Sequence, residues 1–129
     1  IYNSFMVSAD MAHGLHPNHP DKHDPVSRPI LNRGPVIKIE GNQKYTTDSN
    51  SSAVFEMVCK EAKVPYQKFV NRSDMVGGGT LGNVSASQLA IRSVDIGNSM
   101  WAMHSIRETS GVEDHTFMTQ ALSSFYKLN

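Results

Sequence analysis

Residues 36–71, VIKIEGNQKYTTDSNSSAVFEMVCKEAKVPYQKFVN, decide the fold. Val36-Ile37-Lys38-Ile39 is β-branched and apolar enough to read as a strand. The Gly41-Asn42 pair predicts a turn that returns the chain as a hairpin partner over residues 43–46. Asp48 or Ser49 can cap a helix running to about Ala62, because Val54, Met57, Val58 and Ala62 recur at helical spacing. Pro65 ends the connection, and residues 66–71 alternate as a strand again. Strand, helix and strand in succession are the unit of a layered α/β domain.

Working outward, residues 2–9 read as a short strand whose apolar run Phe5-Met6-Val7 stops at Asp10. Residues 11–35 hold five prolines (Pro17, Pro20, Pro25, Pro29 and Pro35) and four histidines. Proline removes backbone donors and restricts its predecessor, so an irregular segment is expected here. A loop of that length in a compact domain is usually functional or disordered. On the other side, Gly77-Gly78-Gly79 leads into a helix over residues 81–89. A strand follows over residues 91–96, then an amphipathic helix over residues 110–128 with Phe117, Ala121, Leu122 and Phe125 facing inward. No internal repeat or low-complexity tract interrupts this alternation, and the expected class is α/β.

With 129 residues the chain suffices for one domain with one core. Its 12 basic and 12 acidic residues cancel, which gives no electrostatic reason to expect nucleic acid or an anionic membrane as partner. Cys59 is the single cysteine, so an internal disulfide is excluded. A free buried thiol in a reducing compartment, the cytoplasm, is expected. No apolar stretch reaches the roughly 20 residues that span a bilayer. The opening Ile1-Tyr2-Asn3-Ser4-Phe5 lacks a basic region followed by an apolar run and so is not read as a signal peptide. It also lacks an initiator Met, from which we expect the protein to begin further upstream.

Several residues carry candidate chemistry. Asp10, at the end of a strand, reads either as a metal ligand held rigid by the sheet or as a turn cap. His13, His16, His19 and His23 have spacings that can supply a zinc site, although the intervening prolines keep them off one helix face. The glycine run at a helix start offers backbone N–H groups to an anion or permits close backbone approach. It is not a phosphate-binding P-loop, because no Gly-Lys-Ser/Thr follows. His104 follows the strand over residues 91–96 at an edge where α/β sheets place sites, and Glu108 is positioned to orient a histidine or pair with Arg107.

Taken together, the motifs resemble one family. Ser8-Ala9-Asp10-Met11-Ala12-His13, His16-Pro17-Asn18, Lys22-His23, Arg28-Pro29 and Gly34-Pro35-Val36-Ile37-Lys38 are similar to the aspartyl aminopeptidases. So are Tyr45, Val64-Pro65-Tyr66-Gln67, Arg72-Ser73-Asp74, Gly78-Gly79-Thr80, Val94-Asp95-Ile96-Gly97 and Ala102-Met103-His104-Ser105-Ile106-Arg107-Glu108. The resemblance runs through nearly the whole chain with its motifs in order.

What it implies is the C-terminal segment, residues 1–129, of the catalytic domain of a zinc-dependent aminopeptidase, part of a three-layer αβα domain. The implied activity is removal of N-terminal residues, often Asp or Glu, from peptide substrates by an enzyme that assembles into a homo-dodecamer and holds two zinc ions. By the same resemblance, Asp10 and His104 are metal ligands, and His13, Lys38 and Tyr45 contact substrate. Carboxylate and neutral imidazole suit zinc, and two metal ions suit peptide hydrolysis because they polarise the carbonyl and activate water. Lys38 offers a cation to an acidic side chain, and His13 a donor to the developing oxyanion.

The sequence departs from the family in three ways. Pro25-Val26-Ser27 precedes Arg28-Pro29 where an acidic residue and a histidine are usual, and Gly77 stands where many members have cysteine. The family's other ligands, its catalytic glutamate and its dimerisation domain have no counterpart before Asp10. The N-terminal catalytic half is therefore expected to be absent, and the segment by itself inactive. The alternatives are a non-enzymatic zinc-binding or interaction module on the loop from His13 to His23, and a structural remnant that binds intact subunits.

Overall fold

A computed structural model describes residues 2–128; Ile1, read with the opening segment, lies outside them. Four strands form a mixed sheet in the order β1 (Phe5–His13), β4 (Arg92–Trp101), β2 (Val36–Ile39), β3 (Gln67–Val70). β1 runs parallel to β4, β4 antiparallel to β2, and β2 parallel to β3. A two-residue strand, β5 (Thr109–Ser110), pairs with the end of β4. Three helices complete the domain: α1 (Ser49–Glu61), α2 (Leu81–Leu89) and α3 (Val112–Phe125). The mixed α/β class matches the sequence reading.

The central strand–helix–strand unit forms as its residues dictate. Asp48 caps α1 by accepting from the Ser51 N–H at 2.7 Å, while the Ser51 hydroxyl accepts from the Asp48 N–H at 2.9 Å. This reciprocal arrangement satisfies two of the backbone donors a helix start leaves unpaired. α1 buries Phe55, Val58 and Cys59, whereas Met57, expected to face inward, is exposed.

The two faces of the sheet differ in kind. On one, Val94, Ile96 and Ile37 pack against Phe55, Val58 and Cys59 of α1 and Ala121 of α3, with Phe5, Val7, Leu122 and Phe125 around them. Because strand side chains alternate, Ser93 and Asp95 point the other way. There the Asp95 carboxylate accepts from the Thr46 N–H at 2.7 Å, and the Thr47 hydroxyl accepts from the Asp95 N–H at 2.9 Å. Gly82 of α2 lies against this polar face, where an added Cβ would stand 2.6 Å from both Asp95 Oδ1 and Ser8 Oγ.

Three expectations need correction. Residues 43–46 do not return as a hairpin strand; β2 pairs with β3 and β4, and the segment instead crosses the polar face, anchored at Thr46 and Thr47. β1 continues past Ala9 to His13, so Asp10 lies within the strand rather than after it. β4 likewise runs on to Trp101 through Gly97-Asn98-Ser99, residues of low strand propensity. Those small residues allow close approach of β1: a Cβ at Gly97 would lie 2.4 Å from the Asp10 carbonyl oxygen.

Candidate metal and substrate site

The site is built on the polar face. Along β1, Phe5 and Val7 turn toward the apolar core, which by alternation sends Asp10 and Ala12 to the opposite side. Along β2, Ile37 enters the core, and Val36 and Lys38 face away. β1 and β2 are not neighbours, since β4 runs between them. The residue opposite Asp10 on β4 is Gly97, itself opposite Val36. With no side chain in the way, Lys38 reaches across and its Nζ pairs with Asp10 Oδ2 at 3.4 Å.

That pair is asymmetric: the Lys38 side chain is 4% exposed and that of Asp10 55%. Burial holds the Lys38 ammonium below its usual pKa, and the Asp10 charge opposes that fall. The Tyr45 ring lies with its centroid 5.8 Å from Lys38 Nζ, and burial pushes its hydroxyl above the usual tyrosine range. The Asn71 amide is close enough to oppose that rise, although its Nδ2 makes no hydrogen bond. His13, at the end of β1, is held below the usual histidine pKa first by burial, then by the charges of Lys38 and His104. Tyr45 and His13 thus both remain neutral donors around pH 7.

His104 arrives from the turn after β4. Ala102 and His104 both take left-handed backbone conformations, at φ 55° and 69°. Glu108 Oε1 accepts from the His104 main-chain N–H at 2.6 Å, so this carboxylate orients the histidine through its backbone. Asp10, His13, Lys38, Tyr45 and His104, drawn from four separate segments, line one cavity of about 210 Å³. Its remaining walls include Phe69, the glycine loop at Gly78-Gly79-Thr80 and Met100, none of which spacing singled out as a wall. The apolar contribution was legible only as strand pattern: Ala12, Val36, Tyr45 and Phe69 form a small second core under the site.

The loop histidines disperse. The rings of His16 and His19 lie 5.5 Å apart, the His16 ring lies 5.6 Å from that of Trp101 and tilted to it, and neither histidine lines the cavity. Among the described residues, no group of three or more His, Cys, Asp or Glu could hold a metal ion. A self-contained zinc module on this loop is therefore not favoured. Asp10 and His104 fit zinc in kind, as a partly exposed carboxylate and an imidazole on one cavity, but two donors fall short of the three or four that zinc takes from protein. They fit as part of a larger ligand set.

Across the described residues, no helix is long and apolar enough to cross a membrane. Residues 1–126 match the family model for aminopeptidase I zinc metalloproteases (M18). The chain is 56% identical to Probable M18 family aminopeptidase 2 of Clostridium acetobutylicum, a match covering 99% of this chain and 30% of that protein. Its identity to the protein of the same name from Pseudomonas aeruginosa is 51%, over 98% of this chain and 29% of the relative. The chain thus spans about a third of the length of these relatives. Among solved structures, a chain of the Ape4 and Nbr1 complex superposes with a TM-score of 0.95 at 42% identity, covering 97% of this chain and 24% of that one. The yeast mApe1 dodecamer gives 0.85 at 29% identity, with 97% and 27% covered. By sequence and by fold, this chain belongs to the M18 family of aminopeptidases.

Proposed function

We propose that this chain supplies part of the active site of a zinc-dependent aminopeptidase, with Asp10 and His104 as metal ligands and His13, Lys38 and Tyr45 as substrate contacts. The observation that carries this reading is the convergence of all five residues on one cavity. The relatives, which are three times longer, support a protein in which the remaining ligands and the general base come from outside residues 1–129. On that reading the segment alone is inactive, and it forms the C-terminal part of a three-layer αβα catalytic domain. α1 and α3 on one face of the sheet and α2 on the other are in keeping with such layers.

Bound zinc would polarise the scissile carbonyl and make water a better nucleophile. The chain's own residues do the rest of what falls to this half. Neutral His13 donates a hydrogen bond to the oxyanion that develops on the carbonyl. Tyr45, protonated across the neutral range, donates beside it. Lys38, fixed by Asp10 at the cavity wall, provides the cation against which an acidic N-terminal side chain is held. A preference for Asp and Glu follows from that cation.

The yeast relative is a dodecamer, and we extend a homo-oligomeric assembly to the full-length protein. A single buried thiol suits the cytoplasm. In the full-length protein, Asp10→Ala or His104→Ala is expected to abolish release of N-terminal residues and to lower the zinc content measured by metal analysis. Unchanged turnover and zinc stoichiometry would remove the ligand assignment. Lys38→Ala is expected to reduce discrimination between Asp and Leu substrates.

A further inference from the structure

A second cavity, of about 230 Å³, adjoins the first: His13, Tyr45, Phe69 and Gly78 line both. Beyond that shared wall its character changes. Val70, Met75 and Val76 give it an apolar side. The Arg72 guanidinium at its edge is already engaged, with Nε 2.7 Å and one terminal nitrogen 2.8 Å from the Asp74 carboxylate.

Two buried polar atoms from residues lining this cavity have no partner, Asn71 Nδ2 and His23 Nδ1. Buried polar atoms in folded proteins are almost always paired, with a ligand, water or protein group, so each of these two has a hydrogen bond to offer to whatever fills the cavity. Gly77 leaves room for the Asn71 amide, since an added Cβ would stand 2.1 Å from Nδ2. An amide N–H donates, and a ring nitrogen of neutral histidine accepts. Burial keeps His23 below the usual histidine pKa and thus neutral. One donor and one acceptor are the complement of a single peptide unit.

We propose that this second cavity binds the substrate residue following the scissile bond, with Asn71 Nδ2 donating to its carbonyl and its side chain resting on Phe69, Met75 and Val76. The inference rests on the aminopeptidase reading, in which the N-terminal residue occupies the first cavity among Asp10, Lys38 and His104. The remainder of the peptide then needs a continuation, and the shared wall provides it. The preferred substrates are peptides with a large apolar second residue.

The test uses the full-length protein and three substrates that share whichever N-terminal residue X it removes fastest: X-Leu, X-Gly and the simple amide of X. X-Leu is expected to exceed X-Gly in kcat/KM by about tenfold or more, the usual scale for a filled apolar subsite. Asn71→Ala is expected to lower the ratio of kcat/KM for X-Leu to that for the amide by about tenfold, the effect of leaving a buried group unpaired. Gly78→Val, where the added Cβ meets nothing within 4 Å, is expected to lower the same ratio as the branches beyond it crowd the shared wall. Equal rates on X-Leu and X-Gly, or a ratio unmoved by both variants, would overturn the second-cavity assignment while leaving the aminopeptidase reading intact. If the wild type releases X from none of the three, the aminopeptidase reading itself fails, and this assignment with it.

Discussion

The two faces of one sheet are made from the same strands and do different work. Toward α1 and α3, β4 presents Val94 and Ile96 to an apolar core with no candidate site residue in it. Toward α2, it presents Ser93, Asp95 and Gly97, over which Tyr45, Lys38 and Asp10 are arranged. The core face holds the strands together by removing apolar area from water. The polar face uses buried hydrogen bonds and a missing side chain to fix where charged groups meet. Alternation along a strand therefore lets stability and chemistry be adjusted separately.

Replacing Phe55, buried at the centre of the core face, should break that face alone. Phe55→Ala is expected to lower unfolding stability by about 3–5 kcal/mol, the usual cost of emptying an aromatic site, while the activity of molecules still folded is retained. Denaturant unfolding and active-site titration together measure this, and a parallel loss of both would mean the faces are coupled. On the other face, Gly97→Ala should cost about 1–3 kcal/mol by overpacking. It should also reduce activity strongly, because the new methyl lands on the backbone at Asp10. An unchanged Michaelis constant and turnover there would show that Lys38 does not need the gap.

A smaller effect is expected from Asp95→Ala, which removes the acceptor for Thr46 and frees the segment that carries Tyr45. Stability should fall by about 1 kcal/mol, the net value of one hydrogen bond, and KM should rise more than kcat falls. The smallest effect concerns pH. Burial pushes the Cys59 thiol up to about 12, above its unfolded value. The folded state therefore keeps its proton where the unfolded state releases it, so stability is fully present at neutral pH and declines as pH rises from about 9 toward 12. Alkylation by iodoacetamide at pH 8 should accordingly require unfolding; rapid labelling of the native protein would place Cys59 outside the core.

Much of the core face was legible in the sequence. Asp48 and the apolar spacing of α1 announced the helix, β-branched residues announced β2, and alternation announced β3. The polar face was harder, because its strands lack the pattern that marks a strand. In β1 the exposed pair Ala9-Asp10 interrupts the apolar pattern, and β4 passes through Gly97-Asn98-Ser99, so periodicity stops before the backbone pairing does. Gly41-Asn42 suggested a hairpin, but the Asp95 carboxylate, which accepts from the Thr46 N–H, and the Ser93 hydroxyl draw Thr46 across the sheet instead. The candidate site residues came from resemblance, since nothing in the spacing of Asp10 and His104 brings them together. Glu108 was visible as a partner for a histidine, though its contact is with main chain rather than ring. The second cavity was not legible as a cavity, although His23, Arg72 and the glycine run that line it stood out in the sequence.

The pairing of β1 with β4 has a kinetic consequence. Its partners stand at opposite ends of the segment, whereas β2, α1 and β3 are contiguous and can condense as soon as they exist. Loop closure over a long stretch is slow compared with local assembly. The unit of β2, α1 and β3 should therefore condense first and the cavity, which needs β1 and β4, be the last feature to take shape, so that partly folded molecules of this protein would be unable to grip metal or peptide.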